Sequence, residues 1–448
     1  MKNNTVGEVF TGVDGLGDYI ASLPEPEWLR ETRLAALERF SAMDWPDTAV
    51  EEWRRSDISS YDFNAYNMRG AKQSAAVDSA DPQVEPGLAG RIRFEGPDAV
   101  ATSLDPDLAS QGVIFEPLSE FVLQNSANHG GSISKATRAV RDLIMDSVHK
   151  ADNKLKLWHY AGWTHGVVLY VPRFMEIKNS FVLDFQESGD SVITAPQIFV
   201  VLEEGARVEV IQRVHGADEG EVLLNESVDI HIGDGAACRY VALHNLNIDS
   251  SSFGTTLARI SRDGHLHHGI AAFGSMFTKY RIDAELNGPG SDVLLDGIYY
   301  PAEDQHVDLR TVQTHFAPKC ASHALYRGAI RDEAHGVYQG LIYVGEEGSE
   351  TDAYLTNNNL LLNDGAQADS IPCLQIHTND VKCSHGSTTG KLNRNEVFYL
   401  ASRGFSPEEA EEILLQGFFE PIVARLPEAL QEEIRDLIAA RFVPVEIL

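Results

Sequence analysis

The sequence predicts a mainly β fold with helical ends, and three observations carry that reading. Between about residues 155 and 390 the apolar runs are short and β-branched, as in Gly166-Val-Val-Leu-Tyr-Val171, Gln197-Ile-Phe-Val-Val-Leu202 and Arg207-Val-Glu-Val-Ile211. Gly- and Asp-bearing turns punctuate these runs. On either side of the stretch, apolar residues return at the three- and four-residue spacing of helices.

Taken in order, residues 1 to about 60 read as helical. Pro26-Glu27-Trp28-Leu29 opens a segment with Leu29, Leu34, Leu37 and Phe40 on one face, and Pro46-Asp47 starts another that runs through Trp53. Trp53 is expected to anchor these helices by apolar packing. From about 70 to 130 the chain reads as irregular, with Gly, Pro, Asp and Ser throughout. Ser134 to Lys150 is a helix with Ala136, Val140, Leu143, Ile144 and Val148 at helical spacing. No helical pattern is seen between about 155 and 390.

Within that β region a turn followed by a strand recurs at Glu204-Gly205-Ala206, Asp234-Gly235-Ala236, Asp263-Gly264-His265 and Pro289-Gly290-Ser291, at intervals of roughly 26 to 30 residues. It returns at Asp364-Gly365-Ala366. Short strands at a fixed period fit a solenoid of stacked coils, each burying its apolar face on the next. A β-sandwich is the competing architecture. Solenoid edges leave backbone groups free, which invites strand addition by another chain.

After residue 390 the chain turns helical again. Asn393-Arg-Asn-Glu396 reads as a capping box for a helix that stops near Gly404. Ser406-Pro407-Glu408-Glu409 is a stronger one, with Pro at the first helical position. Ala410, Ile413 and Leu414 give that helix an apolar face and Gly417 can end it. A last helix from about Pro427 carries Leu430, Ile434, Leu437 and Ile438. The expected division is 1–154 helical and irregular, 155–390 β-core, and 391–448 helical.

Composition narrows the function classes. A formal net charge of -31 over 448 residues argues against nucleic-acid or anionic-membrane binding, since both need clustered Lys and Arg. Met1-Lys-Asn-Asn-Thr-Val-Gly7 has no apolar leader, and no run approaches a membrane-spanning length. Four cysteines, Cys238, Cys320, Cys373 and Cys383, show no Cys-x-x-Cys spacing. The expectation is a reducing cytoplasm with no disulfide framework.

Asp380-Val-Lys-Cys383-Ser-His385-Gly386 carries the most chemistry. On a strand, Cys383 and His385 share a face. Thiolate sulfur and neutral imidazole nitrogen suit iron and zinc. One such pair lacks two or more ligands, so it would be a half-site completed by a partner. The ordinary alternative is a packed thiol beside a surface imidazole. Gly386-Ser-Thr-Thr-Gly390-Lys391 imitates a phosphate loop. It has three residues between the glycines where four are needed, and Leu392 stands where Ser or Thr should. Nucleotide binding there is rejected.

Two weaker pairs are His265 with His267, read mainly as solvent-facing rungs, and Cys373 with His377. The second pair lies on one strand face, and stacked coils could link it to the Cys383 strand. His306 and His315 are expected to be structural.

Several long motifs resemble the core of the SufB/SufD family of iron–sulfur cluster assembly proteins. They are Asp296-Gly297-Ile-Tyr-Tyr, Asp304-Gln305-His306-Val-Asp308, Thr351-Asp352-Ala353-Tyr354, Asn359-Leu-Leu-Leu362, the Cys383–His385 segment and Phe398-Tyr399-Leu400-Ala-Ser-Arg403-Gly404. The resemblance covers about residues 290 to 420 and weakens back to about 155. It implies a right-handed parallel β-helix between helical ends.

Two features resemble SufD-type members. Glu51-Glu52-Trp53-Arg54 is similar to an N-terminal signature of that type. The stretch Leu355 to Leu360 holds no thiol, where SufB-type members commonly carry one. SufB-type members also usually show a Glu-His-Glu-like sequence where Ser384-His385-Gly386 stands here.

The resemblance implies a non-catalytic subunit that pairs with a SufB-type protein and a SufC-type ABC ATPase, with a homodimer possible in isolation. It implies that His385, with Cys383 beside it, lies at the SufB interface and meets iron or a nascent cluster there. No stable cofactor is expected on the isolated chain. The helices after residue 390 would dock the ATPase, with Ile413, Leu414 and Phe418 as candidate contacts. Two alternatives stand beside this: a SufB-like scaffold carrying the cluster itself, and a β-helix polysaccharide-active enzyme suggested by architecture alone.

Overall fold

The computed structural model describes residues 9–69, 85–124 and 134–441. The Met1–Gly7 opening, residues 70–84 and 125–133 of the stretch read as irregular, and residues 442–448 of the last region lie outside them. The N-terminal region runs β1 (Val9–Thr11), α1 (Leu16–Ser22), α2 (Glu27–Ala42), a 3-10 turn (Glu51–Trp53) and β2 (Asn67–Arg69). It continues with β3 (Leu88–Glu95), β4 (Asp98–Leu104), α3 (Pro106–Ser110), β5 (Ile114–Pro117), α4 (Leu118–Gln124), α5 (Lys135–Lys150) and α6 (Lys154–Gly162).

The core follows with β6 (His165–Val171), β7 (Ser180–Glu187), β8 (Val192–Thr194), β9 (Pro196–Leu202), β10 (Arg207–Gly216), β11 (Val222–Ile232), β12 (Ala237–Leu246), β13 (Ser251–Ile260) and β14 (His265–Gly274). Next come β15 (Phe277–Leu286), β16 (Asp292–Tyr299), β17 (His306–His315), β18 (Ala321–Ile330), β19 (His335–Val344), β20 (Thr351–Leu361), β21 (Gln367–Ile376) and β22 (Val381–Lys391). Three helices close the chain, α7 (Arg394–Ala401), α8 (Pro407–Val423) and α9 (Glu428–Ala440).

From β10 onward, consecutive strands never pair with each other. Even-numbered strands from β10 to β22 stack in one wall, and odd-numbered strands from β11 to β21 stack in the other. All of those pairings are parallel. The chain therefore winds as a parallel β-solenoid, and the sandwich alternative falls. The two ends differ. At the start, β3 and β4 form an antiparallel hairpin on one wall, and β5 lies antiparallel on β6 of the other. At the far end β21 and β22 are the terminal strands of their walls.

The recurring turns form one corner of the solenoid. Gly205 N donates to Asp234 O at 2.9 Å, Gly235 N to Arg262 O at 2.8 Å, Asp263 N to Pro289 O at 3.0 Å and Gly290 N to Pro318 O at 3.3 Å. Lys319 N to Ser349 O and Glu350 N to Asp380 O extend this ladder. Gly205, Gly235 and Gly290 adopt positive φ at these corners, which glycine does without strain. Asp364-Gly365 differs from the other turns: it joins β20 to β21 and so lies at the opposite corner.

Side chains alternate between lumen and outside. Ile198, Val228, Ile282, Leu295 and Tyr338 fill the lumen. The outer face of the even-numbered wall is covered by α8 and α9, with Phe419, Ile422 and Ile434 packed on Ile211, Leu243, Phe273 and Ile298. The outer face of the other wall meets the N-terminal helices. There Trp53, Phe63 and Trp158 pack with Leu223, Phe253 and Phe277. Trp53 is thus an apolar anchor, with Lys279 Nζ 4.6 Å from its ring centre.

Four expectations are corrected. The segment from Pro46 through Trp53 is not a helix; it is irregular up to the single 3-10 turn at Glu51–Trp53. A helix, α6, does occupy 154–162 inside the region read as pure β. Leu155, Leu157, Trp158, His159, Tyr160 and Ala161 are all buried, and Lys154-Leu155-Lys156-Leu157 alternates with the period of a strand, so the helical period does not show. The stretch read as irregular contains β3, whose Ile92 and Phe94 alternate into the lumen core. Finally, α8 does not end at Gly417 but continues to Val423. A mid-helix glycine costs about 1 kcal/mol. Burying a side chain such as Phe419, Ile422 or Val423 returns about 1.5–3 kcal/mol each, so the helix goes on.

Candidate functional site at the open end of the solenoid

The last coil is β21 and β22. Register places Cys383 on Ala353 and His385 on Leu355. Ala353 and Leu355 belong to the lumen core, and Cys383 packs against that core. Cys383 and His385 therefore project together from the inner face of the final strand, as the two-residue period requires. Cys383 is half-buried and His385 is exposed. Burial, with the Asp352 carboxylate nearby, pushes the Cys383 thiol up from its ordinary range, against a hydrogen bond from the Ala353 backbone. A metal binding there would have to displace that proton.

Among the described residues no group of three or more His, Cys, Asp or Glu side chains could hold a metal ion. The Cys383–His385 pair thus offers two donors on one face, with nothing among the described residues to complete them. Behind it the lumen is closed by Asn357, Asn359 and Tyr299. Tyr299 OH donates to Asn359 Oδ1 at 2.5 Å, Asn357 Nδ2 to Tyr299 OH at 3.0 Å, and Asn359 Nδ2 to Asn357 Oδ1 at 2.9 Å.

Cys373 and His377 do not join this pair. Leu374 pairs with the lumen residue Ile342 and packs inward, so Cys373 points outward from β21 and is exposed. β21 and β22 also belong to different walls. Cys373 and Cys383 therefore lie on opposite faces of the coil. His377 follows the strand, 3.1 Å from Gln375 Nε2.

The His265 and His267 rungs are outward too, each held by a carboxylate. His267 Nε2 lies 3.0 Å from the fully buried Asp296, and His265 pairs with Asp292. Asp296 also accepts from Arg425 at 3.2 Å, which pins the end of α8 to the wall. His306 and His315 are structural: His306 Nε2 meets Ser56 Oγ at 3.0 Å, and His315 Nε2 meets Ser322 Oγ at 2.8 Å. Burial pushes both imidazoles down to about 4.

On the C-terminal helices, Ile413 is 40% exposed, but Leu414 and Phe418 are only half-exposed. Phe418 already packs on the even-numbered wall, beneath Arg327. The sequence reading missed Phe398, Tyr399 and Phe405, which are 74%, 56% and 43% exposed. Three aromatics within eight residues of a short helix and its following turn were the signal, since a core-facing helix would have buried them.

The comparisons agree with this architecture. The family model described as SUF system FeS cluster assembly, SufBD core domain, matches residues 185–418. The Escherichia coli iron–sulfur cluster assembly protein SufD is 29% identical over 247 residues, 55% of this chain and 57% of that protein. A SufBD-family protein of Staphylococcus saprophyticus is 22% identical over 434 residues, covering 92% of this chain and 89% of the relative. One of Mycobacterium leprae is 35% identical over 177 residues, but the match spans only 45% of its length. With more than half of its length matched by that core domain, the chain belongs to the SufBD family of iron–sulfur cluster assembly proteins.

Proposed function

We propose that this chain is the SufD-type subunit of an iron–sulfur cluster assembly complex, a non-catalytic scaffold paired with a SufB-type subunit and a SufC-type ATPase. One observation carries the reading: the open last coil presents His385 and Cys383 beside two strand edges with no partner strand among the described residues. Such edges accept strands from another chain. A SufB-type partner seated there would supply the missing ligands, and iron or a nascent cluster would pass through as cargo. Asn357 and Asn359 line the lumen in the stretch where SufB-type members commonly carry a thiol, which favours the SufD-type assignment over a SufB-like scaffold. The exposed aromatics of α7 with Phe405 and Ile413 form the proposed ATPase contact.

The test is cluster assembly by the whole complex with His385→Ala. One exposed side chain changes stability by no more than about 0.5 kcal/mol. Losing one donor should lower cluster formation about tenfold or more. Wild-type assembly by the variant complex sinks the half-site. A stoichiometric cluster reconstituted on the lone chain would move the reading to a SufB-like scaffold.

A further inference from the structure

The lumen of the first coils is not apolar throughout, because two carboxyl–imidazole pairs cross it from wall to wall. His165 on β6 points at Glu187 on β7, and His244 on β12 points at Glu226 on β11. The Nε2 to Oε1 separation is 3.6 Å in both pairs, and no side chain of the four is more than 4% exposed. That separation is too long for a direct hydrogen bond. Each imidazole is braced from behind by a hydroxyl. Thr164 Oγ1 lies 2.8 Å from His165 Nδ1, and Tyr280 OH lies 3.0 Å from His244 Nδ1. The Nε2 atoms of both histidines and Oε1 of Glu187 are buried with no hydrogen-bond partner. Unpaired buried polar atoms cost about 1–3 kcal/mol each.

We propose that the Glu226–His244 pair is a buried acid–base site that holds one proton in the lumen away from solvent.

The surroundings fix where the proton sits. Glu226 accepts from Gln212 Nε2, whose amide oxygen accepts from Tyr240 OH at 2.5 Å. Burial pushes the Glu226 carboxyl up to about 8; hydrogen bonds from Gln212 and Tyr280 oppose this, and the nearby Glu187 charge adds to it. Burial pushes His244 down to about 3, helped by His268 and His215. Burial also holds the phenols of Tyr240 and Tyr280 protonated. At neutral pH the carboxyl therefore carries the proton and the imidazole is neutral. A protonated carboxyl must donate, and His244 Nε2 is the free acceptor that faces it. The proton on Glu226, directed at His244 Nε2, completes the line from Tyr240 through Gln212, Glu226 and His244 to Tyr280.

The experiment is infrared spectroscopy of the full chain, wild type and Glu226→Gln, with a high-resolution crystal structure of the wild type. The expected result is a protonated-carboxyl carbonyl band at neutral pH. It should fade as pH rises through about 8 and be absent from the variant. The crystal structure should show His244 Nε2 facing the Glu226 carboxyl with no cation beside the pair. A wild-type spectrum without that band overturns the proposal. So does a structure in which a metal ion, an ammonium or a guanidinium group lies against Glu226. The wild-type measurements stand even if the variant does not fold.

Discussion

Lys279→Met should loosen the N-terminal strap by about 3–5 kcal/mol, the usual effect of removing one partner from a buried ion pair. Lys279 and Asp308 lie on the outer face of the odd-numbered wall, with side chains 5% and 0% exposed and 2.6 Å between Nζ and Oδ2. Lys279 Nζ also donates to Glu52 O at 2.9 Å and sits over the Trp53 ring. Without it, Asp308 keeps only Ser56 Oγ and a long contact from Gln339 Nε2 at 3.2 Å. Two neutral donors do not compensate a carboxylate with no access to water. The assay is urea unfolding followed by tryptophan fluorescence, with limited proteolysis around residues 43–60. Adding Asp308→Asn should recover much of the loss, because the uncompensated charge is then gone. A loss under about 1 kcal/mol for Lys279→Met would refute the reasoning, as would a double variant no better than the single one.

Three further outcomes follow from the structure. Glu226→Gln should gain stability relative to wild type as pH rises. The folded state keeps the Glu226 proton up to about 8, whereas an unfolded glutamate loses it near 4.3. Across that window the wild type therefore loses stability with rising pH, while the variant does not; parallel denaturation curves at pH 5 and 8 check this. Gly254→Ala should destabilise by about 1–3 kcal/mol in thermal melts, since its Cβ would stand 1.9 Å from the Tyr280 ring. Phe398→Asp with Ile413→Asp should abolish capture of a SufC-type ATPase and leave the melt unchanged. Deleting 405–448 would be a poorer test, because it strips Phe419, Ile422 and Ile434 from the wall they cover.

The solenoid was legible because glycine marks several corners at a regular interval. The repeat looked degenerate because other corners use Asp263, Glu303, Lys319, Asp332 and Glu350 in the same left-handed conformation. Those residues adopt it only because the stacked corner hydrogen bonds hold them there. Cys383 and His385 could be placed on one face from the two-residue period alone. That this face closes the lumen could not be read, because wall assignment depends on which coil lies beneath. The same ignorance let Cys373 look like a neighbour when its strand turns it outward. Helix α6 was hidden by being buried nearly all round and by opening on an alternating Lys-Leu-Lys-Leu run. β3 was hidden by reading the Gly- and Pro-rich surroundings before the alternation of Ile92 and Phe94.

The unlike ends of the solenoid have a consequence for stoichiometry. At the first end the walls finish in the antiparallel strands β4 and β5, whereas at the last they finish in the parallel-paired strands β21 and β22, so the two ends present unlike edges. A rod with two pairing ends would add copies head to tail without limit, as open heterologous contacts do. A single mate seated on both β21 and β22 uses up the edges of this end. Assembly through this end is self-limiting at two solenoids, whether the mate is another copy or a different chain, and the count is set by shape before any partner is chosen.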